Sequence, residues 1–227
     1  MRFWYLVLII TSLGLTSCLE IIDDLSLNLD GSGIFKYTVN LSSSKVKVNS
    51  YLALDSLDGK KVPEKDDVIA RIDKVVNLLR EQPGITEVQF DGNYTDYLFK
   101  LQVDFESVND LQKAIKEVVK TEFRDKEIEE LDHDWLSYDG SSLARSVPKM
   151  TIHKVSELSS KDILELQKGS YMAISRFPNE IAECSNENAN LSKNKKAVMI
   201  KTDPYSLVNQ TDLLDISVGL VDTTETN

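Results

Sequence analysis

The alternation of apolar and polar residues that ends at Phe105 constrains the fold more than any other feature of the sequence. From Lys100 to Asp104 every second side chain is polar, which is the period of a β-strand with one face in solvent. The opposite face must be covered by another layer of structure, because large apolar side chains are driven out of water. The apolar side chains of this strand are Tyr97, Phe99, Leu101, Val103 and Phe105.

A second pair of alternating runs lies near the start of the chain. Leu25, Leu27 and Leu29 alternate with polar residues, and the alternation resumes from Phe35 after the Asp-Gly-Ser-Gly segment at 30–33. Two alternating runs around a glycine-rich turn predict a β-hairpin. The Lys-Ser/Thr pair of a phosphate-binding loop does not follow, so residues 30–33 are interpreted as a turn.

Each hairpin is followed by a predicted amphipathic helix. Over residues 68–79 apolar side chains recur at intervals of three and four, and Pro83 ends the pattern. The second hairpin has a predicted tight turn at residues 91–93. It leads into a helix that begins with a variant of the capping box, formed by Ser107 and Asp110.

This order of elements predicts an α+β fold, in which antiparallel β-hairpins are covered by two or three amphipathic helices. The third and weaker helix is predicted from Ser44 to Leu57. After a charged connector at 125–130, the C-terminal third is predicted to be rich in strands. We expect residues 18–221 to form a single domain that folds without metal or cofactor, and residues 222–227 to form a mobile tail. The C-terminal elements are strands near 131–138, 150–155, 171–178, 197–200 and 213–220, and a brief helix near 159–166.

The charge of the chain excludes one class of partner. The formal net charge is −11, and a basic patch of the kind that binds nucleic acid is missing from the sequence. General electrostatic attraction to anionic lipid headgroups is excluded for the same reason. Membrane association would therefore depend on a covalent anchor.

Catalytic and metal-binding motifs are weak. The sequence has neither a Gly-x-Ser-x-Gly nor a His-Glu-x-x-His motif. Cys184 has no basic neighbour in the sequence to lower its pKa, so we interpret it as an inert thiol. The run Asp132-His133-Asp134 suggests a metal site, but in a strand the two carboxylates share one face and the imidazole takes the other. We therefore predict no enzyme activity, no metal site and no cofactor.

The first eighteen residues resemble a bacterial lipoprotein signal. Arg2 precedes an apolar run at 3–13 that is too short to span a bilayer, which needs about 20 residues. The run closes with Leu-Thr-Ser-Cys at 15–18, which looks like a lipobox. The resemblance implies cleavage after Ser17, a diacylglycerol on Cys18 and acylation of the new amino terminus. The alternative is a secreted protein in which Cys18 is an ordinary thiol.

The chain as a whole resembles envelope lipoproteins of Bacteroidetes type and is more distantly similar to the LppM-like lipoproteins. The resemblance rests on Cys18 followed by a strand, the turn at 30–33, Arg-Phe-Pro at 176–178 and the hairpin at 192–196. It implies an α+β domain on the cell envelope that could carry a lipid-binding surface. Leu19 after the cysteine favours the outer membrane under enterobacterial-type sorting.

Three functional hypotheses follow. The preferred one is a noncatalytic envelope module that binds or assembles with an envelope protein or lipid and is held to the membrane by its anchor. The second is a lipid or glycolipid carrier, and the third is a hydrolase. The carrier requires an apolar cavity between the strand faces and the helices. In the preferred hypothesis Phe99 and Leu101 belong to a solidly packed core.

Overall fold

The computed structural model of the chain describes residues 19–57, 60–122, 133–146, 166–210 and 212–221. The described part has an α+β fold, as the sequence predicts. The helices are α1 (Lys45–Leu52), α2 (Lys65–Arg80), α3 (Val108–Glu122) and the short α4 (Ser206–Asn209), with a 3-10 turn at Ser42–Ser44. The strands are β1 (Glu20–Leu27), β2 (Gly33–Asn40), β3 (Ser56–Leu57), β4 (Lys60–Lys61), β5 (Ile85–Asn93), β6 (Leu98–Phe105), β7 (Leu136–Tyr138), β8 (Ser142–Arg145), β9 (Ser170–Arg176), β10 (Ile181–Cys184), β11 (Asn190–Leu191), β12 (Ala197–Thr202) and β13 (Ile216–Leu220).

The strands form two main sheets. The larger sheet has the order β11-β12-β9-β1-β2-β6-β5, and the smaller has the order β10-β13-β8-β7. A two-stranded ribbon of β3 and β4 is separate from both. The two predicted hairpins, β1–β2 and β5–β6, therefore lie side by side, joined through the antiparallel pair β2–β6.

The N-terminal hairpin forms as predicted. Gly31 has a φ of 87°, a left-handed conformation that glycine adopts without steric cost. The Asp30 carboxylate accepts hydrogen bonds from the Ser32 backbone N–H at 3.0 Å and from its hydroxyl at 2.7 Å. These side-chain hydrogen bonds to the turn explain why the chain reverses here.

The turn of the second hairpin lies later than predicted. Strand β5 continues through residues 91–93, and the chain reverses between Tyr94 and Tyr97. Asn93 determines the position, because its side-chain oxygen accepts hydrogen bonds from the backbone N–H groups of Thr95 at 3.0 Å and Asp96 at 2.9 Å. Tyr97 has a φ of 54° and belongs to this turn, so the strand begins at Leu98.

The two amphipathic helices are confirmed. Helix α3 begins after Ser107, whose hydroxyl oxygen accepts a hydrogen bond from the Asp110 backbone N–H at 3.2 Å. The Ser107 hydroxyl in turn donates to the Asp110 carboxylate at 2.6 Å, a variant of the capping box, in which the carboxylate accepts from the backbone N–H instead. The predicted weak helix is shorter than expected, since α1 ends at Leu52 and Ser56 already belongs to β3.

A parallel pair joins the C-terminal part of the chain to the first hairpin. Strand β9 pairs with β1 in parallel, which the predicted antiparallel hairpins did not include. Arg176 at the end of β9 donates three hydrogen bonds, at 2.9–3.1 Å, to the Asp24 carboxylate on β1. The arginine of the Arg-Phe-Pro segment therefore links β9 to β1 by hydrogen bonds on the outer face of the large sheet.

The core lies on the other, inner face of the large sheet. This face carries Leu25 and Leu27 of β1 with Val103 and Phe105 of β6, all at most 4% exposed. Apolar residues of α2, α3 and the smaller sheet belong to the same core cluster. The predicted strand near 150–155, most of the predicted helix near 159–166, the connector at 125–130 and the tail at 222–227 lie outside the described residues.

Candidate ligand-binding groove and buried polar cavity

An apolar groove of about 620 Å³ lies between α2 and the inner face of the large sheet. Asp67 and Arg71 of α2 are the charged side chains among its described lining, and both are exposed. The volume is within the range of about 300–1,000 Å³ that is usual for ligand-binding clefts. The rest of the lining is apolar or aromatic: Tyr37, Val39, Leu41, Pro63, Val68, Ile72, Val75, Val76, Phe90, Phe99 and Leu101.

The groove divides the inner face of β6 into two halves. Val103 and Phe105 are 1% and 2% exposed and pack in the core, as a solid core requires. Phe99 and Leu101 face the same side but are only half-buried, because they line the groove. Leu101 still packs against the core cluster, so the expectation of solid packing fails at Phe99 and is met only in part at Leu101. Val103 and Phe105 are thus fully covered, whereas space remains between α2 and the half of β6 that carries Phe99 and Leu101.

The groove lies at the end of the large sheet where β1 begins. Glu20 at the start of β1 pairs with Asn40 at the end of β2, next to Val39 and Leu41 of the groove. We call this the Glu20 end of the sheet. Helix α1 lies at the same end, since Lys45 forms an ion pair with Asp96 at 2.8 Å.

A smaller cavity of about 190 Å³ lies under α3, between the two sheets. Apolar residues line most of it, including Leu25, Phe35 and Leu111. Tyr37 lines both this cavity and the groove, so its side chain lies between the two spaces. The polar side chains of the cavity are Asp23, Tyr37, Gln112, Arg145, Ser146 and Tyr171.

Asp23, Arg145 and Tyr171 form a buried polar cluster in this cavity, which we call the Asp23 cluster. Asp23 is 7% exposed and lies on the same face of β1 as Leu25. Its Oδ2 atom accepts a hydrogen bond from the Tyr171 hydroxyl at 2.9 Å and another from Nη2 of Arg145. Arg145 reaches Asp23 from the smaller sheet, so the cluster joins both sheets.

The environment of the cluster shifts the pKa of its neighbours. Burial, with a further contribution from the nearby Asp23 carboxylate, raises the pKa of Tyr37 to about 12. The same two causes raise the pKa of Tyr171 well above its ordinary value. Burial alone would lower the pKa of Arg145, but the attraction and hydrogen bond of Asp23, together with the nearby Tyr171 and Asp24, outweigh burial and raise that pKa. Both tyrosines are therefore protonated, and Arg145 is charged, at neutral pH.

Gln112 of α3 fixes the wall of the cavity. Its side-chain oxygen accepts hydrogen bonds from the backbone N–H groups of Trp135 at 2.9 Å and Leu136 at 3.0 Å. Its side-chain nitrogen donates to the Leu136 carbonyl at 2.6 Å. Both polar atoms of this amide side chain are thus hydrogen-bonded to the wall, which makes Gln112 a structural residue.

The predicted lipidation and cleavage residues, Cys18 and Ser17, lie outside the described residues, so lipidation stays a prediction. In the suggested metal run, Asp134 accepts a hydrogen bond from Lys116 at 2.8 Å, and the His133 ring contacts Trp135 edge to face. Asp132 lies outside the described residues. Within the described ranges, no group of three or more metal-ligating side chains comes together.

The Asp23 cluster is not among the sites predicted from the sequence. One local signal was present, because Asp23 precedes Leu25 by two positions and so shares its apolar face. A carboxylate on an apolar strand face indicates a buried partner. The partner itself could not be found, since Arg145 is 122 residues away along the chain.

No helix within the described ranges combines the length and the apolar character needed to cross a bilayer. No family model and no curated protein matches the sequence. Among solved structures, the chain is similar to the NMR structure of the folded domain of the Mycobacterium tuberculosis LppM protein. That match has a TM-score of 0.43 and 10% sequence identity, and it covers 91% of this chain and 92% of the other.

Proposed function

We propose that this protein is a noncatalytic lipid-binding module of the bacterial cell envelope, in which the apolar groove holds an acyl chain. The observation that supports the proposal is the half-buried apolar surface of Phe99 and Leu101 under α2. A packed core would cover these side chains. An acyl chain in the groove would remove this apolar surface from water, which contributes roughly 25 cal/mol per Å².

The position of the groove favours a lipid from the membrane as the occupant. If Cys18 carries the predicted anchor, Glu20 lies only two residues from the lipid, a distance of about 7 Å at full extension. The Glu20 end of the sheet, with Val39 and Leu41 of the groove, would then face the bilayer. A lipid could enter the groove without crossing water.

The lining of the groove favours binding over catalysis. Covalent catalysis of acyl transfer requires a nucleophile within hydrogen-bonding distance of a general base. The titratable side chains among the described lining are Tyr37, Asp67 and Arg71, and the pKa of Tyr37 is raised to about 12. None of these is an activated nucleophile at neutral pH.

Photocrosslinking tests the proposal. The full-length chain is placed in phosphatidylcholine vesicles in which one acyl chain carries a diazirine, and the crosslinked peptides are mapped by mass spectrometry. We expect crosslinks at Val39, Leu41 and α2. Ile72→Trp should fill the groove and lower these crosslinks about tenfold, which corresponds to about 1.4 kcal/mol of binding free energy.

Ala70→Trp is the matched control, because Ala70 is exposed on the same helix and does not line the groove. This variant should crosslink like the wild type. Crosslinks confined to the first residues after Cys18, with equal yields in both variants, would refute the lipid-binding groove. Copurification of an envelope protein that Ile72→Trp abolishes, without lipid in the groove, would instead support the assembly module.

A further inference from the structure

The Asp23 cluster has hydrogen-bonding capacity that the described residues do not use. Oδ2 of Asp23 has two donors, but Oδ1 has no hydrogen-bond partner within the described part of the chain. The same holds for Nη1 of Arg145. The side chains of Asp23 and Arg145 are only 10% and 11% exposed. One acceptor and one donor are therefore buried without partners in a single ion pair.

Such a pair requires an explanation, because folded proteins rarely leave charged, buried atoms without a hydrogen bond. A single water does not fill the space beside it. The cavity measures about 190 Å³, whereas one water occupies about 30 Å³ of the liquid. Oδ1 of Asp23 and Nη1 of Arg145 have almost no accessible surface in this conformation, so small rotations of both side chains are needed to bring them to the cavity wall.

The charges of the cluster specify the chemistry of a ligand. An anionic group would be repelled by the Asp23 carboxylate, and a cationic group would be repelled by the Arg145 guanidinium. A neutral hydroxyl can donate to Oδ1 of Asp23 and accept from Nη1 of Arg145 through the same oxygen atom. It therefore satisfies both unpartnered atoms without adding charge to a buried site.

The inner face of β2 connects this cavity to the groove. Phe35 lines the cavity, Tyr37 lines both spaces, and Val39 and Leu41 line the groove. At about 3.3 Å per residue, the surface from Phe35 to Leu41 extends about 20 Å toward the Glu20 end of the sheet. A single-chain lipid could therefore place its head in the cavity and its chain in the groove.

We infer that the cavity beside Asp23 and Arg145 is a head-group subsite for a neutral hydroxyl, as found on glycerol or on a sugar, of the lipid whose acyl chain lies in the groove. The inference rests on the proposed function and adds the identity of the head group. Asp23 and Arg145 are the specificity residues, and Tyr37 separates the head group from the chain.

Competition against the photoreactive phosphatidylcholine tests the subsite in the full-length chain. The competitors carry chains of the same length: 1-lauroylglycerol, dodecyl glucoside, methyl laurate and laurate. The two hydroxyl-bearing lipids should displace the groove crosslinks at concentrations about tenfold lower than methyl laurate, which lacks a donor. A comparison of 1-lauroylglycerol with dodecyl glucoside distinguishes glycerol from sugar as the source of the hydroxyl.

Two variants connect this preference to the cavity. Asp23→Asn should reduce the tenfold preference to about onefold, because the amide changes the hydrogen-bonding pattern and removes the negative charge. Ile115→Phe, on α3, fills the cavity without changing a charged residue and should have the same effect. A cooperative urea unfolding transition, followed by Trp135 fluorescence, shows for each variant that it is folded.

The outcomes separate the two proposals. Groove crosslinks that all four competitors displace equally well would overturn the subsite and leave the lipid-binding groove intact. Strongest competition by laurate would also overturn it, since the cluster would then bind an anion through Arg145. Loss of groove crosslinks in the wild type would refute the groove itself. A preference for hydroxyl lipids that both variants abolish would support the subsite.

Discussion

Two phenylalanines on one strand provide a direct test of the groove. Phe99 and Phe105 lie on the same face of β6, six residues apart, so truncation to alanine removes the same atoms at both positions. Phe105 is 2% exposed and its ring occupies the space over Gly33, where an added Cβ would lie 2.7 Å from the ring. Phe105→Ala should therefore leave an enclosed cavity and lower the free energy of unfolding by about 3–5 kcal/mol.

Phe99→Ala should cost less. Phe99 is half-buried beside an open groove, so its truncation enlarges that groove and creates no enclosed cavity. Full burial of such a side chain contributes about 1.5–3 kcal/mol, and Phe99 gains less than this because it stays partly exposed. The edge-to-face contact with Tyr94, at 5.3 Å between ring centres, adds about 0.5–1.5 kcal/mol. We expect a total loss of about 2 kcal/mol.

Urea unfolding of the chain from Leu19 onward measures both values. Trp135, which is 8% exposed, is the tryptophan left in that chain and reports unfolding by fluorescence. The dependence of the free energy on urea concentration should stay unchanged, so that the midpoints compare stability alone. Equal losses of about 3–5 kcal/mol at both positions would contradict the argument, because Phe99 would then be packed as tightly as Phe105.

Three further predictions concern the buried cluster and the anchor. Arg145→Met should lower the free energy of unfolding by about 3–5 kcal/mol, because it leaves the Asp23 carboxylate buried without its cation; a urea midpoint close to that of the wild type would contradict this. The folded-state pKa of Tyr37, about 12, is above its ordinary value of 10. The contribution of protonated Tyr37 to the free energy of unfolding should be complete below pH 10 and be lost as the pH rises through 12. In urea unfolding at a series of pH values across this range, the wild type should therefore lose stability more steeply than Tyr37→Phe. Cys18→Ser should block lipidation and signal processing, measured by mass spectrometry of the N-terminal peptide and by membrane fractionation; an unmodified wild-type peptide, with identical processing of both proteins, would refute the lipobox assignment.

Elements that depend on neighbouring residues were predictable from the sequence. The turn at 30–33 depends on Gly31 and on hydrogen bonds between Asp30 and Ser32, all within the turn itself. The start of α3 depends on Ser107 and on a residue three positions later. The turn after β5 was predicted too early, at residues 91–93, because glycine at residue 92 suggested it. The turn instead follows Asn93, whose side chain hydrogen-bonds with the turn backbone.

Periodicity also predicted which face of β6 is apolar, but it could not predict what covers that face. The same alternation places Phe99 beside Phe105, yet only Phe105 is packed. The difference depends on how closely α2 and α3 approach the sheet. That distance is set by the packing of whole helices and not by the pattern within one strand.

The sequence by itself determined the two hairpin-and-helix units and the acidic charge, and it predicts the anchor at Cys18, because each of these depends on composition or on short stretches of chain. Only the tertiary structure decided the parallel pairing of β9 with β1 and the assembly of the Asp23 cluster. Arg145 and Tyr171 lie 122 and 148 residues from Asp23. Contacts across such separations form when distant strands meet in the packed fold, and no local pattern specifies them.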